Sequence, residues 1–319
     1  MGSIGVAINV NPGEPGRGAW QIVTSLVLDG IASCHTRRAY SQALEEFLIW
    51  FQEQPGCKFN KASVQKYRAE LEIKGLAPSS INVRLSAIRR FALEAADNGM
   101  IPPELAAGIA RARGAKRSGV RLGHWLTAQQ TEQLLALPDL TTLKGIRDKA
   151  IIAILVGAGL RRSELAGLNF EHIQQRNERW LIADLVGKHG RVRTVPLPEW
   201  APRAVELWKQ AAGLCEGPVF LGLTRHGRVT SRRLSSQGVF TIVSSYAKKL
   251  GIPVRPHDLR RTFAKLAYLG GSPLEQIQFS LGHASVVTTE LYLGVKQDLV
   301  DAPCDRLGLD HVSLEERPR

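Results

Sequence analysis

At 319 residues with 44% hydrophobic residues, the chain can bury a full core and fits about two domains of ordinary size, which argues against a disordered or fibrous protein. Its 42 Lys and Arg against 29 Asp and Glu give a net charge of +13, and the basic excess lies on both sides of Arg121, so both halves point to a polyanionic partner, nucleic acid first. Cys34, Cys57, Cys215 and Cys304 show no C-x-x-C spacing, and neither a charged leader nor an apolar run of about 20 residues is present, so a soluble protein of a reducing cytoplasm, without a membrane partner, is expected.

Residues 1–18 are rich in Gly and Pro and read as a flexible tail. A helical pattern begins at Trp20. Across 36–51, Tyr40, Leu44, Phe47, Leu48 and Phe51 recur three and four apart, the spacing of one amphipathic helix face. A second helix is expected over 61–74, stopped by Gly75. A third follows Pro78, with Ile81, Leu85, Ile88 and Leu93 on one stripe, and ends near Gly99. Residues 19–110 therefore read as a small helical bundle. Arg84 and Arg89 on the third helix are candidate groove readers, although a solvated helix face explains them equally.

Residues 111–121 carry Arg111, Arg113, Lys116, Arg117 and Arg121 among Gly, Ala and Ser, with no acid. This stretch is either a solvated connector or a strap across phosphates, where each cation displaces a counterion. Beyond it, Thr127 is placed to cap a short helix with Leu134, Leu135 and Leu137, and an apolar helix follows over 148–157. Residues 179–197 alternate around His189 and Gly190, which predicts an antiparallel hairpin. Helices are expected again over 201–210, 236–250, 259–269 and 274–281. The fold class is mainly α with a small antiparallel β-sheet.

Three segments depart from what packing alone selects: Gly159-Leu-Arg-Arg-Ser-Glu-Leu165, His257-Asp-Leu-Arg-Arg-Thr-Phe263 and Leu281-Gly-His, with Tyr292 nine residues after His283. Arg161 and Glu164 stand three apart, as do His257 and Arg260, so each pair shares a helix face. Taken singly, these are equally an exposed ion pair, a weak His-x-x-Arg and a core tyrosine.

Together and in this order they resemble the tyrosine recombinase (phage integrase) family, whose signature joins a Gly-Leu-Arg-x-x-Glu-Leu box, a His-x-Leu-Arg box, a Leu-Gly-His box and a nucleophilic tyrosine. The family also sets a lysine in a hairpin before Val-Pro-Leu, and Lys188 stands at that place. The N-terminal bundle looks like the family's SAM-like core-binding domain, including Thr36-Arg-Arg-Ala-Tyr40 and Leu76-Ala-Pro-Ser-Ser80. Arg261 departs from the pattern, because His often follows the second arginine, and so does Gly294, where Thr-His is common after the tyrosine.

The resemblance implies a core-binding domain over 19–110, a linker over 111–121, a catalytic domain over 122–305 and a tail over 306–319, closing as a clamp around double-stranded DNA. Tyr292 becomes the nucleophile, and a phosphotyrosine conserves the energy of the cut phosphodiester. Arg161 and Arg260 supply bidentate, permanently charged forks to the phosphate oxygens. Lys188 is assigned as general acid. His257 assists proton transfer, His283 donates to a phosphate oxygen, and Glu164 orients Arg161. The reaction calls for no cofactor and no metal. Candidate DNA contacts are Arg84, Arg89, Arg111, Arg113, Lys116 and Arg117, and the expected assembly is a homotetramer on two duplexes carrying recombination sites. Rival readings are a type IB topoisomerase, a metal-dependent transposase and a non-catalytic DNA-binding accessory protein.

Overall fold

The computed structural model describes residues 17–116, 124–187 and 190–294, and it separates the chain into two units, Met1–Val120 and Arg121–Arg319. Residues 1–16 of the tail expected over 1–18, Arg117, Lys188 and everything after Gly294 lie outside the described residues, while Arg17 and Gly18 already belong to the first helix.

The first unit is five helices: α1 (Arg17–Asp29), α2 (Cys34–Gln52), α3 (Lys61–Ile73), α4 (Pro78–Asp97) and α5 (Pro103–Ala110). Local chemistry marks their starts. Asn60 and Ser63 form a reciprocal capping box on α3, and Pro78 opens α4 where its missing N–H costs no helical bond. The apolar stripes meet around Trp20, Phe47, Phe59 and Phe91, all buried. Trp20 and Phe91 lie 4.2 Å apart and Phe47 and Tyr67 5.0 Å apart. Such aromatic pairs add about 0.5–1.5 kcal/mol each beyond the area they bury.

The basic stretch does not leave the bundle at residue 111. Ala112 and Ala115 are buried in its core, and Asn82 both accepts from the Ala115 N–H at 2.9 Å and donates to the Ala115 carbonyl at 3.1 Å. Gln65 donates to the Arg113 carbonyl at 3.3 Å. The small side chains that looked like linker composition let this segment press against α4, so residues 112–116 belong to the first unit.

The second unit is built around α7 (Leu143–Ala158), which is apolar on nearly every face and correspondingly buried. α6 (Ala128–Ala136), capped by Thr127 as expected, packs against it. α8 (Arg162–Ala166) and a short 3-10 turn lead into a sheet of order β1-β2-β3: β1 (Ile173–Arg176), β2 (Arg179–Val186) and β3 (Val192–Pro196), all antiparallel. Asn177 and Glu178, both at positive φ, make the two-residue turn between β1 and β2. α9 (Trp200–Ala212) buries Trp208, whose indole donates to the Val219 carbonyl at 2.7 Å. A second hairpin, β4 (Leu221–Leu223) and β5 (Val229–Arg233), precedes α10 (Ser236–Lys249), α11 (Pro256–Leu269), α12 (Leu274–Leu281) and α13 (Val286–Leu293).

Two features fix where the site forms. Thr262 of α11 is fully buried and accepts from the Leu126 N–H at 2.9 Å, tying the start of the unit to this helix. A small cluster of Ala264, Ile277, Leu281 and Leu293 seats α12 and α13 on α11. The central helix also carries a buried carboxylate, Asp148, bonded by Lys144 at 2.6 Å, Arg147 at 2.8 Å and the Tyr246 hydroxyl at 3.1 Å, which together offset its desolvation.

Candidate active site

α7 ends at Gly159, whose φ of +59° places it in the left-handed region. A Cβ there would stand 2.6 Å from the Phe263 ring, so conformation and space both require glycine. The turn buries Leu160 and makes Arg161 the N-cap of α8. Glu164, one turn on, accepts from the Arg161 backbone N–H at 2.8 Å and from its Nη1 at 2.6 Å. The i to i+3 spacing in the first motif is thus a capping interaction and an ion pair at once.

Glu164 is gripped from its other side by a residue that sequence reasoning passed over. Arg193 of β3 donates to it through Nη1 at 3.0 Å and Nη2 at 2.9 Å, while its Nε donates to the Ser280 carbonyl at 2.9 Å. Burial disfavours the Glu164 carboxylate, but the hydrogen bonds from Arg193 and the Arg161 backbone and the two positive charges outweigh it, so its pKa lies below the usual carboxylate range. A signal for Arg193 existed: with a strand period of two it shares a face with Val195 and Leu197, both buried, and a charge on an inward face calls for a partner.

Arg260 on α11 joins the first and third motifs. It is 1% exposed; Nη1 donates to the Gly159 carbonyl at 2.7 Å and Nη2 to the Leu281 carbonyl. Burial first, then the charge of Arg161, lower its pKa to about 10, which leaves it charged at neutral pH.

Gly282, at φ +63°, ends α12 in the left-handed conformation, and a Cβ there would come within 3.0 Å of Arg193. His283 follows. Its Nδ1 lies 3.0 Å from Oγ1 of Thr289, a buried residue of α13 also absent from the sequence reading. Burial, with the charges of Arg260, Arg161 and Arg193, lowers the His283 pKa to about 4, so the ring is neutral at pH 7.

Tyr292 sits at the end of α13 beside the buried Leu293. Its ring meets His257 at 5.6 Å and His283 at 5.3 Å, edge-on to both, and its hydroxyl donates to the His257 carbonyl at 3.4 Å. The Arg261 guanidinium lies over the ring at 4.7 Å. Burial raises the Tyr292 pKa, and the charges of Arg260, Arg261 and Arg161 oppose that rise without cancelling it. His257 keeps an exposed edge, yet crowding by protein atoms and the charges of Arg261 and Arg260 lower its pKa.

Arg161, Glu164, His257, Arg260, His283 and Tyr292 therefore meet in one place, drawn from α8, α11, the turn after α12 and α13. Lys188 is outside the described residues; among those that are described, the Gly187 N–H donates to the Arg191 carbonyl at 2.7 Å. Among the described residues no three His, Cys, Asp or Glu side chains cluster as metal ligands, and no helix is long and apolar enough to cross a membrane.

The candidate DNA contacts divide. Arg84 pairs with Glu46 at 2.7 Å and bonds the Ser80 carbonyl at 3.3 Å, and Arg89 bonds the Ala112 carbonyl at 2.5 Å, so both half-buried guanidiniums are engaged by acceptors of the bundle. Arg111, Arg113 and Lys116 are exposed.

Comparison with known proteins points to one family. The phage integrase family matches residues 124–298, and the phage integrase N-terminal SAM-like domain matches residues 23–99. Tyrosine recombinase XerC of Thermodesulfovibrio yellowstonii is 31% identical over 274 residues, covering 82% of this chain and 86% of that protein. Tyrosine recombinase XerA of Thermococcus kodakarensis is 29% identical over 286 residues, covering 88% and 92%. Among solved structures, XerH recombinase bound to a palindromic difH substrate aligns with a TM-score of 0.66 at 18% identity, over 87% of this chain and 80% of that one. The Tn1549 transposon integrase with circular intermediate DNA aligns with a TM-score of 0.64 at 17% identity, over 90% and 98%. With both units matched by family models and a relative above 30% identity across most of its length, the chain belongs to the phage integrase family of tyrosine recombinases.

Proposed function

We propose that the protein is a site-specific recombinase that cuts and rejoins DNA through a 3′-phosphotyrosine at Tyr292. The observation that carries this reading is the convergence of the Tyr292 ring with His257 and His283, in the field of the Arg161 and Arg260 charges. In attack, the Tyr292 oxygen bonds to phosphorus and the 5′ oxygen leaves, so charge grows on the non-bridging oxygens. Arg161 and Arg260 face that charge as fixed forks, prepared before the substrate arrives. Arg260 spends one N–H of each terminal nitrogen on a carbonyl and keeps further donors for the phosphate. The tautomer of neutral His283 that accepts the Thr289 hydroxyl at Nδ1 carries its proton on Nε2 and can donate it to a phosphate oxygen. Lys188 is the proposed acid for the leaving oxygen, and His257 the group that assists the tyrosine proton.

Recombination needs two duplexes, and we propose a homotetramer clamped on them, with Arg111, Arg113, Lys116 and Arg117 on phosphates. An apolar cavity of about 350 Å³, lined by Val156, Phe263, Leu266, Ile277 and Trp200, is suited to an apolar segment such as residues 297–309 of a neighbouring protomer. Deleting everything after Lys296 is expected to weaken recombination more than half-site binding.

The test uses nicked duplexes bearing the half-site that the protein enriches from a random duplex pool. A covalent adduct on a denaturing gel from wild type and none from Tyr292→Phe is the expected result, together with exchange between two labelled duplexes. Specific binding without an adduct would overturn the enzyme reading in favour of an accessory protein. Adduct without exchange would favour a topoisomerase.

A further inference from the structure

Arg261 is the one residue of the second motif that departs from the family pattern, and it faces the nucleophile. Its guanidinium carbon stands 4.7 Å from the centroid of the Tyr292 ring, over its face. His257, four residues earlier on α11, meets the same ring edge-on at 5.6 Å. Residues four apart share one helix face, so His257 and Arg261 form a two-point grip, and His283 closes a third side at 5.3 Å. The Arg261 Nε is buried and has no hydrogen-bond partner among the described residues, so no such bond at that atom accounts for the side chain's position.

We propose that Arg261 is a positioning residue for Tyr292, holding the ring for attack and favouring its oxygen as it becomes anionic. This rests on Tyr292 being the nucleophile. A guanidinium over an aromatic face is drawn to the ring's negative quadrupole. As the phenol loses its proton, the ring grows richer in electrons and a full negative charge appears on the conjugated oxygen, so the same contact strengthens along the reaction. The Tyr292 oxygen–phosphorus bond forms, the bond to the 5′ oxygen breaks, the phenolic proton passes to a neighbouring acceptor and the leaving oxygen takes one from the acid. Arg261 exchanges no proton. Its charge acts on Tyr292 alongside Arg161 from α8 and Arg260 from α11, against Asp258 on the same helix, and it opposes the rise that burial imposes on the phenol.

The experiment compares Arg261→Met, which keeps the length and removes the charge, with Arg261→Lys, which restores a cation. Adduct formation is timed on the enriched nicked half-site with an ordinary linkage and with a 5′-bridging phosphorothiolate, whose sulfur departs without protonation. Arg261→Met is expected to bind the duplex as wild type does and to form adduct about tenfold more slowly, equivalent to about 1.4 kcal/mol. Arg261→Lys is expected to stay within about threefold of wild type, since a positioned ammonium retains much of the cation–π attraction. The sulfur substrate is expected to leave the Met defect in place, because the loss lies on the nucleophile's side. A Met variant at the wild-type rate, Met and Lys variants equally slow, or recovery of the Met variant on the sulfur substrate would each overturn the proposal. Should the Met variant not bind, Arg261→Gln serves as the uncharged comparison. An adduct that Tyr292→Phe still forms would instead sink the nucleophile assignment, and the grip with it.

Discussion

Arg193 holds Glu164 through both terminal nitrogens, at 3.0 and 2.9 Å, so the carboxylate that orients Arg161 is itself fixed from the opposite side by the sheet. One buried anion between two guanidiniums is a coupled unit. Removing the anion leaves two cations facing each other in a site of low polarity, and removing Arg193 leaves Glu164 with only Arg161. Breaking a buried pair at one partner costs about 3–5 kcal/mol in comparable settings. Glu164→Gln and Arg193→Met are each expected to lower the urea midpoint and to slow adduct formation by more than about tenfold. The double variant should lose less than the two single losses together. Additive losses would show that the three side chains act separately.

The glycine of the first motif makes a sharper structural prediction. Gly159 and Gly213 both end helices at positive φ, +59° and +64°, but only Gly159 has a side chain against it, the Phe263 ring at 2.6 Å from an added Cβ. Gly213→Ala should cost about 1 kcal/mol, the penalty of a left-handed alanine. Gly159→Ala should cost more, since Phe263 must also move, and should displace the carbonyl that Arg260 uses. Equal losses in thermal unfolding would mean that Phe263 yields freely.

These two cases show what the sequence revealed and what it hid. The long helices α2, α3 and α4 were legible because their apolar residues repeat at helical spacing over three or more turns. The β2–β3 hairpin was legible from alternation around a turn. α5 was not: eight residues of Pro, Glu, Leu, Ala, Gly and Ile carry little periodic signal, and its formation depends on packing against α4. β1, β4 and β5 are short and polar or interrupted by glycine, so cross-strand pairing defines them more than their own residues do. The six residues that meet in the site were found through motifs, each of which is short-range in sequence. Arg193 and Thr289 were missed because their partners are far away in the chain or placed by a turn: Arg193 reaches Glu164 from 29 residues on, and Thr289 meets His283 only because the chain reverses between α12 and α13.

The depressed pKa of His283 makes stability depend on pH. Burial and the nearby arginines hold the folded ring neutral down to about pH 4, whereas an unfolded histidine takes a proton near 6.5. The unfolded state therefore binds more protons between these values, and stability that is complete above about pH 6.5 drains away as the pH falls toward 4. His257, whose pKa is also lowered, acts in the same direction. His283→Asn keeps a polar neighbour for Thr289 and removes the titration. Its melting temperature should fall less steeply than that of wild type on acidification from pH 7 to 4.5. Parallel curves for the two proteins would rule His283 out as a source of the acid sensitivity.

The bundle predicts that basic residues held against one another in the same unit behave differently on DNA. Arg89 has its guanidinium on the Ala112 carbonyl, and Arg113 and Lys116 stand exposed on the segment which that bond and Asn82 hold down. A cation that neutralises a phosphate contributes about one unit to the slope of log affinity against log salt, whereas a cation bound inside the protein contributes none. Arg113→Gln and Lys116→Gln should therefore each flatten the salt dependence of half-site binding by about one unit and weaken binding similarly on all sequences. Arg89→Gln should leave the slope unchanged and instead lower the stability of the first unit, because its acceptor at Ala112 loses a charged donor within a buried turn. A flattened slope for Arg89→Gln would mean that the guanidinium leaves Ala112 for a phosphate when DNA binds, and that the segment from 112 to 116 is released in the complex.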